Sequence, residues 1–206
     1  MSKPASNEVS EEVMVVAVSD LAPLLRGRGF DLIRDDAEQI LDVIQSRYQF
    51  LPRGLAERSP EYRQIIPYVV IRRGGEFFLL RRTPKQTEAR LHDRLSLGIG
   101  GHINPDAEES GEGILVAGLR KELEEEVEIE GEYEARFVAV LNDETTEVSR
   151  VHLGLVYELI VNSPRVVVRE TEKMSGSWVA REALGTLRES METWSQVVYD
   201  QFIAAG

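Results

Sequence analysis

Three glutamates in the run Lys-Glu-Leu-Glu-Glu-Glu at positions 121–126 have the spacing of a metal-binding helix face. At about 100° per residue, Glu122, Glu125 and Glu126 fall within roughly a 100° arc of one helix face. Like charges at neighbouring helical positions cost about 0.2 to 0.5 kcal/mol per pair, so a shared cation would offset a real repulsion. Mg²⁺ takes oxygen ligands and is usually held by a few carboxylates together with waters and substrate phosphates. The trio therefore predicts a site for a divalent cation, Mg²⁺ or alternatively Mn²⁺.

The same run is also compatible with a solvated helix face. Seven of the eleven residues from 122 to 132 are acidic, and charge runs of this kind usually face water. The metal site is favoured by the glycine turn, residues 100–104 with the sequence Gly-Gly-His-Ile-Asn, which would let a substrate phosphate approach the backbone. An apolar stripe places the trio along the margin of a buried face; it comprises Val116, Leu119, Leu123 and Val127.

Taken together, residues 101–129 resemble the Nudix box. The family pattern is Gly, five residues, Glu, seven residues, then Arg-Glu-aliphatic-any-Glu-Glu-any-Gly-aliphatic. Gly101 is similar to the first glycine of this pattern, and Ile129 to its closing aliphatic residue. The Glu-aliphatic-any-Glu-Glu core is matched by Glu122, Leu123, Glu125 and Glu126.

The chain departs from the family pattern in three places. Lys121 stands at the arginine position and lacks the planar fork that can bind a carboxylate at two points. Glu128 replaces the later glycine, so the helix is expected to continue toward Gly131. The turn is longer than in the family, with nineteen residues between Gly101 and Lys121 instead of thirteen. The isolated first glutamate of the box is therefore open among Glu112, which we prefer, Glu108 and Glu109.

The order of predicted elements outside the box also resembles a Nudix domain. Residues 65–73 and 76–82 predict two strands, and the Gly74-Gly75 pair between them is a strong hairpin signal. Residues 94–103 predict the strand that leads into the glycine turn. Further strands are expected at 133–141, 151–161 and around 177–179, followed by a helix at about 191–202. The resemblance thus implies an α+β fold, a Nudix-type α/β/α sandwich with a mixed β-sheet, over residues 65–206.

Residues 1–64 are interpreted as an N-terminal extension to this domain. Residues 13–18 form a short apolar run suited to a strand, and residues 37–47 have helical character. We prefer the interpretation that the extension packs on the outside of the Nudix core. A surface that pairs two subunits into a homodimer and a cap over the substrate pocket are the alternatives.

Composition limits the class of protein. The chain has 206 residues with 42% hydrophobic content and no apolar stretch near 18 residues, which argues against a membrane span. The N-terminus lacks the apolar core of a signal peptide, and the absence of cysteine fits a reducing compartment, so a cytoplasmic location is expected. A net charge of −12 disfavours nucleic acid as a partner. Seven basic residues nevertheless concentrate on the hairpin and the loop after it: Arg72, Arg73, Arg81, Arg82, Lys85, Arg90 and Arg94.

The resemblance implies roles for particular residues. Glu122, Glu125 and Glu126 would be metal ligands, with the carbonyl of Gly101 as a further oxygen. Arg81 or Arg82 could hold a substrate phosphate. His102 could donate a proton or bind phosphate. For His102 we prefer a hydrogen bond to the inserted part of the turn.

The general base is less well defined by the sequence. In the family it is a box glutamate, here Glu125, or a carboxylate on a separate loop. Glu172 lies six residues before Trp178, at a position where several family members carry an acidic loop. Other loop carboxylates remain open as alternatives, namely Asp143, Glu144, Glu147 and Glu170.

These residues favour a Mg²⁺-dependent Nudix hydrolase that cleaves a diphosphate linkage in a nucleoside diphosphate derivative, a small-molecule phosphoanhydride. Nucleotide sugars, dinucleotides and nucleoside triphosphates all fit. The altered box motivates a second hypothesis, a non-catalytic ligand-sensing or partner-binding Nudix domain. A third is an unrelated α+β domain in which the acidic helix only faces solvent.

Overall fold

The computed structural model of the protein describes residues 11–83, 94–162, 165–169, 171–172 and 174–205. The strands are β1 Glu12–Ala17, β2 Phe30–Ile33, β3 Gln49–Pro52, β4 Tyr62–Arg73, β5 Glu76–Arg82, β6 Leu95–Ser96, β7 Gly98–Gly100, β8 Val127–Ile129, β9 Tyr133–Asp143, β10 His152–Val161, β11 Val166–Val168 and β12 Met174–Ala180. The helices are α1 Val18–Leu25, α2 Ala37–Arg47, α3 Arg53–Ala56, α4 Ile114–Glu126, α5 Arg181–Leu187 and α6 Thr193–Val198. Short 3₁₀ segments occupy Pro105–Ser110, Ser149–Val151 and Arg188–Ser190, and a π-helical turn at Tyr199–Ile203 follows α6.

A mixed sheet with the order β12-β5-β4-β10-β9-β2 forms the centre of the molecule. β4 and β10 run parallel, whereas the other pairs in this order are antiparallel. Strands β1 and β7 also pair with β4, and β6 pairs with β5. One buried cluster packs α1, α2 and α4 on one face of the sheet, and a second packs α5 and α6 on the other. The predicted α/β/α sandwich with a mixed sheet is thus confirmed.

β4 is the strand that organises this sheet. Nine consecutive residues from Arg63 to Ile71 are buried, as expected for a strand that is covered on both faces. The predicted hairpin is present, because Arg72 pairs with Phe77 and Arg73 with Glu76 around the two glycines. The strand expected over 94–103 is instead divided into β6 and β7, and the backbone of residues 101–104 is irregular.

Residues 11–64 contribute to the same sheet and the same core as the rest of the chain. Val15 of β1 pairs with Gln64 of β4, and β2 extends the sheet beyond β9. Ile40 and Ile44 of α2 are fully buried in the cluster that also contains residues of α4. The boundary at residue 64 and the alternatives of a cap or a homodimer remain predictions, although β4 itself begins at Tyr62.

Helix α4 differs from the prediction at two points. It ends at Glu126 and does not continue toward Gly131, because Val127 is extended (φ −136°) and begins β8, which pairs with β11. Val116 is 48% exposed, so its assignment to the buried stripe was wrong. The buried face of α4 is instead formed by Leu115, Ala117, Gly118, Leu119 and Leu123.

Within the part of the chain that the structure describes, no helix has the length and apolar character needed to cross a membrane.

Gly118 allows α4 to approach the glycine turn. A Cβ at this position would lie 2.6 Å from Cγ1 of the fully buried Ile103. We expect Gly118→Ala to lower the free energy of unfolding by about 1 to 3 kcal/mol, since the clash outweighs the better helix propensity of alanine. Denaturant unfolding measures this change. Gly75→Ala is the matched control because a Cβ there meets no atom within 4 Å, and an equal effect of the two substitutions would contradict the expectation.

Candidate active site

The glycine turn passes very close to its neighbours. A Cβ on Gly100 would lie 2.5 Å from the carbonyl oxygen of Pro67, and a Cβ on Gly101 would lie 2.0 Å from Oε2 of Glu122. Glycine is therefore required at position 100, where the clash is with backbone, whereas a Cβ at position 101 would displace the Glu122 side chain. The turn is held between β4 on one side and the carboxylate of Glu122 on the other.

Glu122 has a perturbed carboxyl group. The pKa of this carboxyl is raised from 4.5 to about 7. Burial is the largest cause, and the nearby charges of Glu125 and Glu126 also contribute. Glu126 is half-buried and Glu125 is exposed. The three side chains thus lie near one another at the margin of the helix face, and the charges of the other two act on Glu122.

Lys121 links α4 to the turn. Its Nζ donates to Oδ1 of Asn104 at 3.2 Å and to Oδ2 of Asp106 at 2.8 Å. The hydrogen bond to Asp106 is the main cause that raises the pKa of Lys121. The residue at the arginine position of the box therefore braces the glycine turn and the inserted residues, a role that the sequence did not indicate.

A cleft of about 470 Å³ opens beside the glycine turn. Its lining includes Gly100, Gly101 and His102 from the turn and its approach. Other walls come from distant segments and carry three arginines, two aromatic side chains and a second histidine: Arg53, Arg82, Arg94, Tyr68, Trp194 and His152. A volume of this size falls within the range of roughly 300 to 1,000 Å³ that is usual for small-molecule sites.

The two adjacent arginines predicted to bind phosphate have different positions. Arg82 lines the cleft, whereas Arg81 is exposed and is not among the lining residues. Successive side chains of a strand point to opposite faces, so only one of the pair can face the cleft. Lys85 and Arg90 of the same basic group lie outside the described residues.

A buried polar network that sequence reasoning missed lies along another wall of the cleft. Oε1 of Glu192 accepts hydrogen bonds from the Tyr68 hydroxyl and the Ser195 hydroxyl, both at 2.7 Å. The same side chain caps α6 by accepting from the backbone N–H groups of Trp194 at 3.1 Å and Ser195 at 3.2 Å. Burial, together with the charge of Glu192, raises the pKa of Tyr68 well above its ordinary value. Tyr68 and Glu192 are 124 residues apart, so no local pattern could have paired them.

Comparison with known proteins establishes the family. No family model matches the chain. The protein YmaB of Bacillus subtilis (strain 168) is 38% identical over 168 residues, which cover 79% of this chain and 82% of YmaB. The crystal structure of Tm1382, assigned to the Nudix hydrolases, superposes with a TM-score of 0.80 and 29% identity over 95% of this chain and 100% of Tm1382. The chain belongs to the Nudix hydrolase superfamily. DR0079 from Deinococcus radiodurans shares the fold, with a TM-score of 0.52 and 16% identity over 85% of this chain and 97% of DR0079.

Nudix hydrolases generally use divalent metals, and the residues around Gly101 fit such an ion. The Glu122 carboxylate is pressed against a backbone without a Cβ, and two further carboxylates raise its pKa. Oxygen donors of this kind suit a hard divalent cation. Within the described ranges, however, no three His, Asp or Glu side chains are already grouped to hold an ion. The ligand set remains a prediction.

The longer Nudix turn contains the 3₁₀ segment Pro105–Ser110. Glu112, the preferred first glutamate of the box, forms a bidentate pair with Arg120 at 2.7 and 2.6 Å. It lines a smaller cavity of about 330 Å³ that Glu125 also borders. Glu108 accepts a hydrogen bond from the Tyr48 hydroxyl at 2.8 Å. The side chain of Glu109 is outside what the structure describes, so the assignment of the first glutamate stays open.

His102 lies beside His152, with ring centroids 5.7 Å apart. Burial, and then the charge of Arg53, lowers the pKa of His102 to about 4, so its ring is neutral near pH 7. Its Nε2 is buried and has no hydrogen-bond partner among the described residues. At Nε2, therefore, the described residues provide no hydrogen bond to the inserted part of the turn. The preferred interpretation for His102 stays a prediction.

The loop carboxylates that the structure describes, among those considered as general bases, lie outside the lining of the cleft. Asp143 is buried and accepts from the backbone N–H and the hydroxyl of Thr145 at 2.9 and 2.6 Å. Glu144 pairs with Arg63 at 2.7 Å. The side chain of Glu172 is exposed, and its backbone carbonyl accepts a hydrogen bond from Thr83 at 2.8 Å. Glu147 is an exposed loop residue, and Glu170 lies outside the described residues. The identity of the base remains a prediction.

The raised pKa of Glu122 predicts a pH dependence of stability in the metal-free protein. In the unfolded chain this carboxyl ionises near pH 4.5, whereas in the folded chain it keeps its proton to about pH 7. The folded state binds more protons in this interval, so the free energy of unfolding should fall as the pH rises from about 4.5 to 7. Glu122→Gln should remove this pH dependence. The difference in free energy of unfolding between Glu122→Gln and wild type should therefore be about 1 to 3 kcal/mol more favourable to the variant at pH 7.5 than at pH 4.

Chemical denaturation across this pH range in the presence of a chelator measures the effect. Glu124→Gln is the control, because Glu124 is an exposed residue of the same helix. Parallel pH profiles for wild type and Glu122→Gln would show that Glu122 is not perturbed in the folded protein.

Proposed function

We propose that this Nudix hydrolase is a Mg²⁺-dependent pyrophosphohydrolase that cleaves a diphosphate linkage in a nucleoside diphosphate derivative. The observation that carries the proposal is the contact between the Glu122 carboxylate and Gly101 at the edge of the cleft. This contact puts a carboxylate with a strongly raised pKa beside a backbone that can approach a phosphate.

The carboxylates of Glu122, Glu125 and Glu126 and the carbonyl oxygen of Gly101 would hold the cation. When bound, Mg²⁺ supplies neutralisation of phosphate oxygens and lowers the pKa of a water molecule. Mn²⁺ has the same preference for oxygen ligands and would serve as a substitute. Several carboxylates around one site favour a divalent ion because its charge offsets their repulsion.

The substrate phosphates would lie in the cleft with Arg82. A guanidinium can donate two parallel hydrogen bonds to a phosphate, which fixes its orientation as well as its charge. A cleft of about 470 Å³ accommodates a small molecule, and Trp194 offers a ring that could stack on a base. Nucleotide sugars, dinucleotides and nucleoside triphosphates all agree with these dimensions.

Two residues are proposed as the general base. Glu125 is the exposed member of the trio, so solvent water can reach its carboxylate. Glu172 is the alternative; its backbone lies beside the end of β5, because its carbonyl accepts a hydrogen bond from Thr83, the residue after Arg82. His102 is neutral and lines the cleft, and it can bind a phosphate oxygen or a leaving group through an N–H.

The direct test is hydrolysis of a panel of nucleoside diphosphate derivatives in Mg²⁺ by wild type and Glu125→Gln. We expect turnover of at least one panel member and a loss of about 100-fold or more in kcat for Glu125→Gln, which removes both a ligand and a candidate base. Glu124→Gln should retain wild-type activity. A folded wild-type protein that binds Mg²⁺ but hydrolyses no member would favour a ligand-sensing Nudix domain instead.

A second prediction concerns Gly101. In Gly101→Ala the new Cβ would occupy the position of the Glu122 carboxylate, so this ligand must move away from the turn. We expect the Mg²⁺ concentration for half-maximal activity to rise about tenfold or more. Gly75→Ala, where nothing lies within 4 Å of the added methyl group, should leave it unchanged. An unaltered Mg²⁺ requirement in Gly101→Ala would remove Glu122 from the ligand set.

A further inference from the structure

The cleft concentrates positive charge in an acidic protein. Three arginines from three separate segments line it, namely Arg53 at the start of α3, Arg82 at the end of β5 and Arg94 just before β6. Glu192 is the one acidic residue among the described lining residues, and it already accepts hydrogen bonds from three hydroxyls and two backbone N–H groups. The whole chain carries a net charge of −12. A locally positive cleft in such a chain favours an anionic ligand and raises its local concentration.

Arg53 is fixed in place by the N-terminal segment. Its Nε donates to Glu57 at 3.0 Å, and its Nη1 donates to Glu11 at 3.0 Å. Its backbone N–H donates to the carbonyl of Glu11 at 2.7 Å. A guanidinium has five N–H groups, so three are left for a ligand after these two side-chain bonds. Because the two carboxylates already fix the side chain, a ligand that binds it would lose little additional conformational entropy.

Arg53 lies at the end of the cleft where other polar atoms have no partner among the described residues. Arg53 and His102 both line the cleft. The Nε2 atom of His102 is buried without a hydrogen bond there. Gln64 is fully buried, and its side-chain Nε2 and Oε1 also have no hydrogen-bond partner among the described residues. Its strand neighbour is His152, which lines the cleft.

Gln64 is also oriented toward the cleft side of the sheet. Residues at alternate positions of a strand share a face, and Ile66 and Tyr68, two and four residues further along β4, both line the cleft. Buried polar groups without partners cost free energy, so their concentration at one end of the cleft is typical of a site that binds a polar ligand.

We propose that Arg53, supplied by the N-terminal segment, binds a phosphoryl group of the substrate at the His102 end of the cleft. This inference rests on the proposed function, because it assigns the anionic group to a diphosphate. It makes the segment before β4 part of the substrate site. The diphosphate would then be held between Arg82 on one side and Arg53 on the other.

The test is calorimetric binding of inorganic pyrophosphate to wild type, Arg53→Ala and Arg53→Lys, with Mg²⁺ and with a chelator. We expect Arg53→Ala to weaken binding about tenfold or more, since it removes charge-assisted hydrogen bonds. The pyrophosphate affinity of Arg53→Lys should lie between those of wild type and Arg53→Ala, because lysine keeps the charge but lacks the planar guanidinium fork. Arg58→Ala is the matched control, an exposed arginine of the same segment that does not line the cleft.

Two further measurements separate binding from a structural role. Glu57→Gln removes the charge of one partner of Arg53 and weakens that hydrogen bond but leaves the guanidinium, so pyrophosphate affinity should stay equal or increase. Thermal unfolding of every variant shows whether an effect on affinity merely follows a loss of stability. Pyrophosphate affinity in Arg53→Ala within about twofold of wild type, or no binding by wild type, would overturn the proposal. A failed hydrolysis panel would overturn the proposed function alone, because this experiment measures no turnover.

Discussion

The approach of helix α4 to the glycine turn is the contact on which the rest of the site depends. The Glu122 carboxylate lies where the Cβ of any residue other than glycine at position 101 would have to be. Gly118 permits the same approach one turn earlier in the helix, against Ile103. The helix is therefore pressed on the turn at two levels. A carboxylate held in this way, half-buried and beside other carboxylates, carries an electrostatic cost that a divalent cation would relieve.

The N-terminal segment supports this contact from the other side. The backbone N–H of Met14 donates to the carbonyl of Ile103 at 2.8 Å, and the side chain of Asn104 donates to the carbonyl of Glu12 at 2.8 Å. Asn104 also receives the hydrogen bond from Lys121. β1, the glycine turn and α4 are thus joined in one chain of hydrogen bonds. The lysine that replaces the box arginine retains a bracing role, through a single ammonium and two oxygen acceptors.

The opposite wall of the cleft depends on the C-terminal segment. The Ser195 hydroxyl accepts a hydrogen bond from the backbone N–H of Leu97 at 2.8 Å, and the backbone N–H of Glu192 donates to the carbonyl of Leu95 at 2.9 Å. Together with the bond between Tyr68 and Glu192, these contacts attach the start of α6 to the strands that lead into the glycine turn. The cleft is therefore bounded by the first and the last parts of the described chain, with the Nudix box between them.

Local sequence patterns determined the elements and the reactive group. Alternation, the Gly74-Gly75 pair and helical spacing indicated the hairpin, α2 and the glutamate face of α4, because each depends on residues near one another in the chain. Tertiary structure decided the rest. Pairing of β8 with β11 ended α4 at Glu126. The alternation of side chains along a strand showed that only one of Arg81 and Arg82 could face the cleft, but not which one. Arg53 and Glu192 entered the cleft because strands distant in sequence brought them together, and such contacts leave no periodic signal in the chain.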